Sequence, residues 1–211
     1  MSRTKTLFPE VETPTTAQAT AEKTIDAPCG IIIDTREQQP YTFQGLRANA
    51  DQGHALLRIP TCRIALPVGD YTVQGLAEQV VVERKSKEDL YGSIGQRRQN
   101  FEERLKVMAI MASAAVVVEA EWASVLLDPP THSKLHPRAL SRTILSWIIR
   151  YPRVHWLMLP DRQTAEAMTY RYLERFHWAW KIGETGCQEA YLRAKQAGED
   201  NRWITPWEEQ V

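Results

Sequence analysis

Val80-Val81-Val82-Glu83-Arg84-Lys85-Ser86-Lys87-Glu88-Asp89 is an apolar β-branched run that ends abruptly in charge. The run has the composition of a buried strand, and β-branched residues fit a pleated surface. Upstream, Tyr71-Thr72-Val73 follows the turn-like Pro67-Val68-Gly69-Asp70, and Gln74-Gly75-Leu76 reverses the chain before Gln79. A hairpin is therefore predicted, with Asp70 and Glu83 brought side by side at one end. Residues i and i+2 of a strand share a face. Glu83 and Lys85 then point one way and Arg84 the other. The plainer alternative is that Glu83-Arg84-Lys85 is only the solvated end of a buried strand.

Two carboxylates and a lysine at neighbouring strand ends suit a particular chemistry. One or two carboxylates can hold a Mg²⁺ ion that keeps open positions for water and phosphate oxygens. A lysine beside them can orient or deprotonate water, or pair with the phosphate. The set suits phosphodiester hydrolysis.

More of the chain fits the same pattern. Asp34-Thr35-Arg36-Glu37 follows the apolar Ile31-Ile32-Ile33, and Asp89-Leu90-Tyr91-Gly92-Ser93-Ile94 follows the charged run. Arg98, Phe101-Glu102 and Arg104-Leu105 come next. Taken with Gly69-Asp70 and Glu83-Arg84-Lys85, these motifs resemble, in order, the nuclease domain of the XPF/Hef family of structure-selective endonucleases. The resemblance runs from about Gly30 to Glu119 and more weakly to Trp178. It implies a restriction-endonuclease-like α/β fold, with a central mixed β-sheet flanked by helices. It implies a DNA endonuclease dependent on Mg²⁺, with Mn²⁺ able to substitute, acting at branched, flapped or forked DNA. Asp70, Glu83 and Asp34 are the implied metal ligands and Lys85 the implied catalytic lysine. Glu37 would line the acidic site, and Arg84 and Asp89 would support it. Arg36, Lys87, Arg97, Arg98 and Arg104 are the expected DNA contacts. A homodimer formed through residues 137–180 is a further implication, as is a role in DNA repair or recombination. Two other readings share the sequence: a non-selective duplex nuclease or junction resolvase of the same superfamily, and an inactive DNA-binding scaffold subunit. The presence of every motif acid and of Lys85 weighs against the scaffold. Gly95-Gln96-Arg97-Arg98 departs from the Asp-Gly-Arg that eukaryotic members carry after Ser-Ile. Neither a tandem helix-hairpin-helix signature nor a Gly-x-x-x-x-Gly-Lys-Ser/Thr motif is found.

The 211 residues carry 26 Lys+Arg against 26 Asp+Glu, so binding to a polyanion must rest on charge distribution rather than on the total. Basic residues gather between Arg84 and Lys106, and again from Lys134 to Arg153. The alternative is that they form salt-bridged helix faces, such as Arg98 with Glu102. Cys29, Cys62 and Cys187 show no zinc spacing and fit reduced thiols in a cytoplasmic setting, bacterial or phage. No apolar run has a membrane-spanning length and no signal-like segment opens the chain.

The expected organisation is a disordered tail over residues 1–28, a nuclease domain over 29–182, and a helical, aromatic extension over 183–211. Within the domain, strands are predicted at Gly30–Asp34, Arg63–Leu66, Tyr71–Val73, Gln79–Glu83, Ala114–Glu119 and Val154–Leu159. A helix capped by Ser86 is expected to stop near Gly92 before a longer helix to about Met111. Further helices should begin at Pro137 and after Asp161. Strands alternating with helices argue an α/β domain.

Overall fold

The computed structural model describes residues 22–183. The expected tail up to residue 21 and the expected helical, aromatic extension from residue 184 onward lie outside the described residues. In chain order the elements are β1 (Thr24–Asp26), β2 (Ile31–Ile33), β3 (Leu56–Arg58), β4 (Thr61–Arg63), β5 (Tyr71–Val73), β6 (Val80–Lys85), α1 (Lys87–Ile94), α2 (Arg98–Ala109), β7 (Ser113–Val118), α3 (Trp122–Leu127), α4 (Pro137–Arg150), β8 (Val154–Met158) and α5 (Arg162–Lys181). A six-stranded sheet has the order β4-β2-β5-β6-β7-β8. β5 pairs antiparallel with both β2 and β6, whereas β6, β7 and β8 run parallel. This is the mixed α/β sheet flanked by helices that the sequence leads one to expect.

The sheet separates two apolar layers. Val81 joins Leu90, Phe101, Leu105 and Ile144 on the side covered by α1, α2 and α4. Val80 and Val82 join Tyr41, Tyr71, Tyr170 and Leu173 on the α5 side. β7 is Ser-Ala-Ala-Val-Val-Val and almost wholly buried, as a central parallel strand covered on both faces must be. Helix starts follow the expected caps. The Ser86 hydroxyl accepts from Asp89 N–H at 3.1 Å, and Asp161 accepts from Thr164 N–H at 2.7 Å.

Four details differ from expectation. Thr24–Asp26 pairs in parallel with β3 where a disordered tail was expected, and Ile25 packs on the α5-side core. Composition alone gives no hint of such a tertiary partner. The strand expected at Arg63–Leu66 lies earlier, at Thr61–Arg63. It is an edge strand exposed along its length, so side-chain alternation does not locate it; its pairing with β2 does. α1 runs through Gly92 to Ile94, because Leu90, Tyr91, Ser93 and Ile94 bury one face. Gly92 has a different use: a β-carbon there would meet the Arg97 guanidinium at 2.8 Å. Finally, in the stretch 137–180 that was expected to form a dimer face, Trp147, Tyr151, Tyr170 and Phe176 are buried in the core.

Candidate active site

Main-chain hydrogen bonds tie the three sequence motifs together. Asp34 N–H donates to the Asp70 carbonyl and Asp70 N–H to the Val82 carbonyl, each at 2.8 Å. Gly69 makes the second contact possible. Its φ is +77°, and a β-carbon would overlap a methyl of Val81. The Gly-Asp pair thus lets the turn press against β6 and delivers Asp70 beside Glu83. β6 continues two residues beyond its predicted end, so Lys85 lies on the strand with Glu83.

The alternation predicted for this strand holds. Glu83 and Lys85 face α2, where Lys85 Nζ lies 2.5 Å from Glu83 Oε1 and 5.0 Å from the centre of the Phe101 ring. Arg104 of α2 donates to the other Glu83 oxygen. Glu83 is wholly buried. Asp70, Glu83 and Lys85 line one open pocket of about 540 Å³, together with Glu37 and Asp89. Arg36, Arg97 and Arg104 also border it. Burial, and then the charge of Glu83, push the Asp70 carboxyl up to about 7, against the opposing pull of the Arg84 N–H and the charges of Lys85 and Arg104.

Asp34 has a different position from the one its motif suggests. Its carboxylate accepts from Arg36 N–H (2.7 Å), Arg36 Nε (2.8 Å), Arg36 Nη2 (3.0 Å) and Leu66 N–H (2.6 Å). Burial raises its pKa, but the Arg36 and Leu66 hydrogen bonds outweigh that and hold it at about 2. Both its oxygens are engaged by Arg36 and Leu66 N–H, and Asp34 is not among the residues lining the pocket. Asp34 instead pins the segment after β2 to the segment before β5, and aims Arg36 at the pocket rim. Asp34→Ala is expected to lower stability by about 2–3 kcal/mol, because Leu66 N–H loses its acceptor while Arg36 can turn to solvent. Its folded pKa lies below the ordinary value of 3.8. The stability that Asp34 contributes is therefore present above 3.8 and is lost as pH falls through about 2. Urea melts of wild type and variant between pH 2 and pH 7 check both statements; the gap between them should close at the acid end.

Arg84 also finds other partners. Its guanidinium meets Glu119 through Nε (2.7 Å) and Nη2 (3.0 Å) and lies 3.6 Å from Glu37. It does not meet Asp89, which faces Arg97 at 3.8 Å. Burial disfavours the Arg84 charge, yet the hydrogen-bonded Glu119 and the nearby Glu37 hold its pKa above the ordinary guanidinium value. Glu119 further accepts from Arg162 (3.0 Å) and from the Tyr41 hydroxyl (3.0 Å). Sequence reasoning missed this residue. The available signal is that Glu119 ends the Val116-Val117-Val118 run of β7 just as Glu83 ends the run of β6. Of the expected DNA contacts, Arg36, Arg97 and Arg104 border the pocket. Lys87 instead binds Asp128 of the loop after α3 at 2.8 Å, and the Arg98 guanidinium lies over the Trp147 ring at 5.7 Å.

Among the described residues, no group of three or more His, Cys, Asp or Glu side chains is arranged to cage a metal ion. None of the described helices is long and apolar enough to cross a membrane.

No curated protein matches the chain. Two solved structures of XPF from Aeropyrum pernix are similar to it. One has 21% identity over 70% of this chain and 60% of that chain, with a TM-score of 0.48. The other, a complex with DNA, has 19% identity over 81% of this chain and 82% of that chain, with a TM-score of 0.48. The family model described as the ERCC4 domain matches residues 33–172, a span that contains every motif discussed above. The chain belongs to the ERCC4 domain family.

Proposed function

We propose that the protein hydrolyses phosphodiester bonds of branched, flapped or forked DNA in a reaction that depends on a divalent cation, Mg²⁺ with Mn²⁺ able to substitute. The observation that carries this reading is the convergence of Asp70, Glu83 and Lys85 in one pocket bordered by arginines. Asp70 and Glu83 would hold the cation. Both offer oxygen, and the upward push on Asp70 beside the buried Glu83 is the like-charge conflict that a cation relieves. A pair of carboxylates without a complete protein cage fits an ion that keeps water and phosphate oxygens as ligands. When bound, the ion supplies Lewis-acid neutralisation of phosphate charge and a more acidic water.

The chain's own groups do the rest. Lys85, fixed against Glu83, has N–H donors left for the attacking water or a phosphate oxygen. Arg36, Arg97 and Arg104 meet the DNA backbone at the pocket rim, where charge positions DNA without reading sequence. Pairing of two copies, as the family resemblance implies, would use Leu145 and Ile149, which α4 leaves exposed.

The test is cleavage of end-labelled flap, fork, four-way junction and plain duplex DNA, in Mg²⁺, Mn²⁺ or EDTA, by wild type and by Glu83→Gln. Glutamine keeps the shape around Lys85 and Arg104. Metal-dependent cutting of branched substrates, lost at least a hundredfold in the variant, is expected for a transition-state charge group. Equal cutting of every substrate would keep the site and discard structure selectivity. Binding without cutting in any condition would favour the scaffold reading.

A further inference from the structure

Glu83 is satisfied twice over. Lys85 Nζ takes one carboxylate oxygen and Arg104 the other. The two cations are not equivalent. Lys85 comes from the same strand, is 12% exposed and lies over the Phe101 ring. Arg104 reaches in from α2, remains 41% exposed, and borders the pocket alongside Arg36 and Arg97. A cation open to water on one side is the one able to leave such a pair, whereas the enclosed Lys85 is held by Glu83 and by the nearby charge of Asp70.

Charge balance adds a constraint. Five carboxylates and five cations line the pocket, so its formal charge is already balanced, and Lys85 and Arg104 are the cations that act on the Asp70–Glu83 pair. A doubly charged ion entering it would leave uncompensated positive charge unless one cation withdraws and a phosphate enters. Arg104 is the cation able to withdraw, and a guanidinium at the pocket rim pairs bidentately with phosphate oxygens.

We infer that Arg104 is an exchangeable counter-ion for Glu83, which leaves the carboxylate for the DNA backbone as a divalent cation is taken up and so couples cation binding to DNA binding. This rests on the proposed reading of Asp70 and Glu83 as the cation-holding pair. Linkage then requires that the cation raise DNA affinity and DNA raise cation affinity by the same factor.

The experiment uses the full chain in two titrations. Mn²⁺ binding without DNA is followed by electron paramagnetic resonance for wild type, Arg104→Gln, Arg104→Lys and Glu83→Gln. DNA affinity for a fluorescent flap is measured by anisotropy in EDTA and in Ca²⁺. Arg104→Gln should bind Mn²⁺ about tenfold more tightly than wild type, within the usual range of coupling between sites. Wild type should gain DNA affinity in Ca²⁺, and Arg104→Gln should lose that gain. Arg104→Lys, which keeps the charge, should fall between. Glu83→Gln should bind Mn²⁺ poorly. Unchanged or weaker Mn²⁺ binding by Arg104→Gln, with Glu83→Gln still deficient, would overturn the inference and leave the cation site standing. Mn²⁺ binding that is undetectable in wild type, or indifferent to Glu83→Gln, would remove the cation reading and the inference together.

Discussion

Glu119→Ala is expected to lower the stability of this protein by about 3–5 kcal/mol, the usual cost of removing one partner of a buried ion pair. Arg84 sets this magnitude. Its guanidinium is buried, its two strong hydrogen bonds both go to Glu119, and the remaining acid, Glu37, is 3.6 Å away. Deleting Glu119 leaves a buried cation that cannot be neutralised, since arginine stays charged. It also frees Tyr41, whose hydroxyl donates to Glu119 and whose ring stacks on Tyr71 at 5.0 Å. Glu119→Gln should cost less, because an amide oxygen still accepts from one donor. A double-mutant cycle with Arg84→Met makes the statement specific. Removing both charged groups should cost less than Glu119→Ala alone, because no orphaned charge remains. Urea denaturation of the four proteins gives the coupling; strict additivity would show that the pair is not the unit described here.

The position of Glu119 also explains what could and could not be read from the sequence. The β5–β6 hairpin was legible because its information is local: a turn with glycine, two β-branched runs and a period of two. The face on which Glu83 and Lys85 lie followed from that period, and the structure bears it out. Periodicity assigns a face but no partner. Asp34 is bound by Leu66, thirty-two residues away, and Arg84 by Glu119, thirty-five residues away. Such pairings depend on how β2, β6 and β7 line up in the sheet. For the same reason a motif acid such as Asp34 could be recognised while its job, holding a loop and an arginine, could not. Arg104 is a parallel case. It reads as one basic residue among several on α2, and only the packing of α2 against β6 sets it on Glu83. The loop from Gln38 to Phe43 gave no core signal either, yet Tyr41 and Phe43 are buried in it and close the α5 side of the sheet.

Lys85→Met should reduce cleavage by about 10²–10⁴-fold, the range associated with losing a positioned proton-transfer or charge-stabilising group, while leaving stability and DNA affinity near wild type. The contrast between these readouts carries the argument. Methionine keeps a flexible apolar stem against Phe101 and removes only the ammonium. Glu83 is not orphaned, because Arg104 still donates to its second oxygen. In the proposed reading Arg36, Arg97 and Arg104 set DNA affinity at the rim, and a side chain only 12% exposed adds little to that field. A purely structural lysine would behave differently: its loss would appear as a lower denaturation midpoint with cleavage reduced only in proportion to the unfolded fraction. A lysine that serves mainly to grip DNA would raise KM and leave kcat unchanged. A fall in kcat at unchanged midpoint and unchanged DNA affinity is the result expected of a group that meets the water or the phosphate during the reaction. Single-turnover cleavage of a flap substrate, with a urea melt and anisotropy on the same preparation, separates the three. Full activity in Lys85→Met would remove this side chain from the reaction and leave Asp70 and Glu83 as the only parts of the site on which the chemistry could rest.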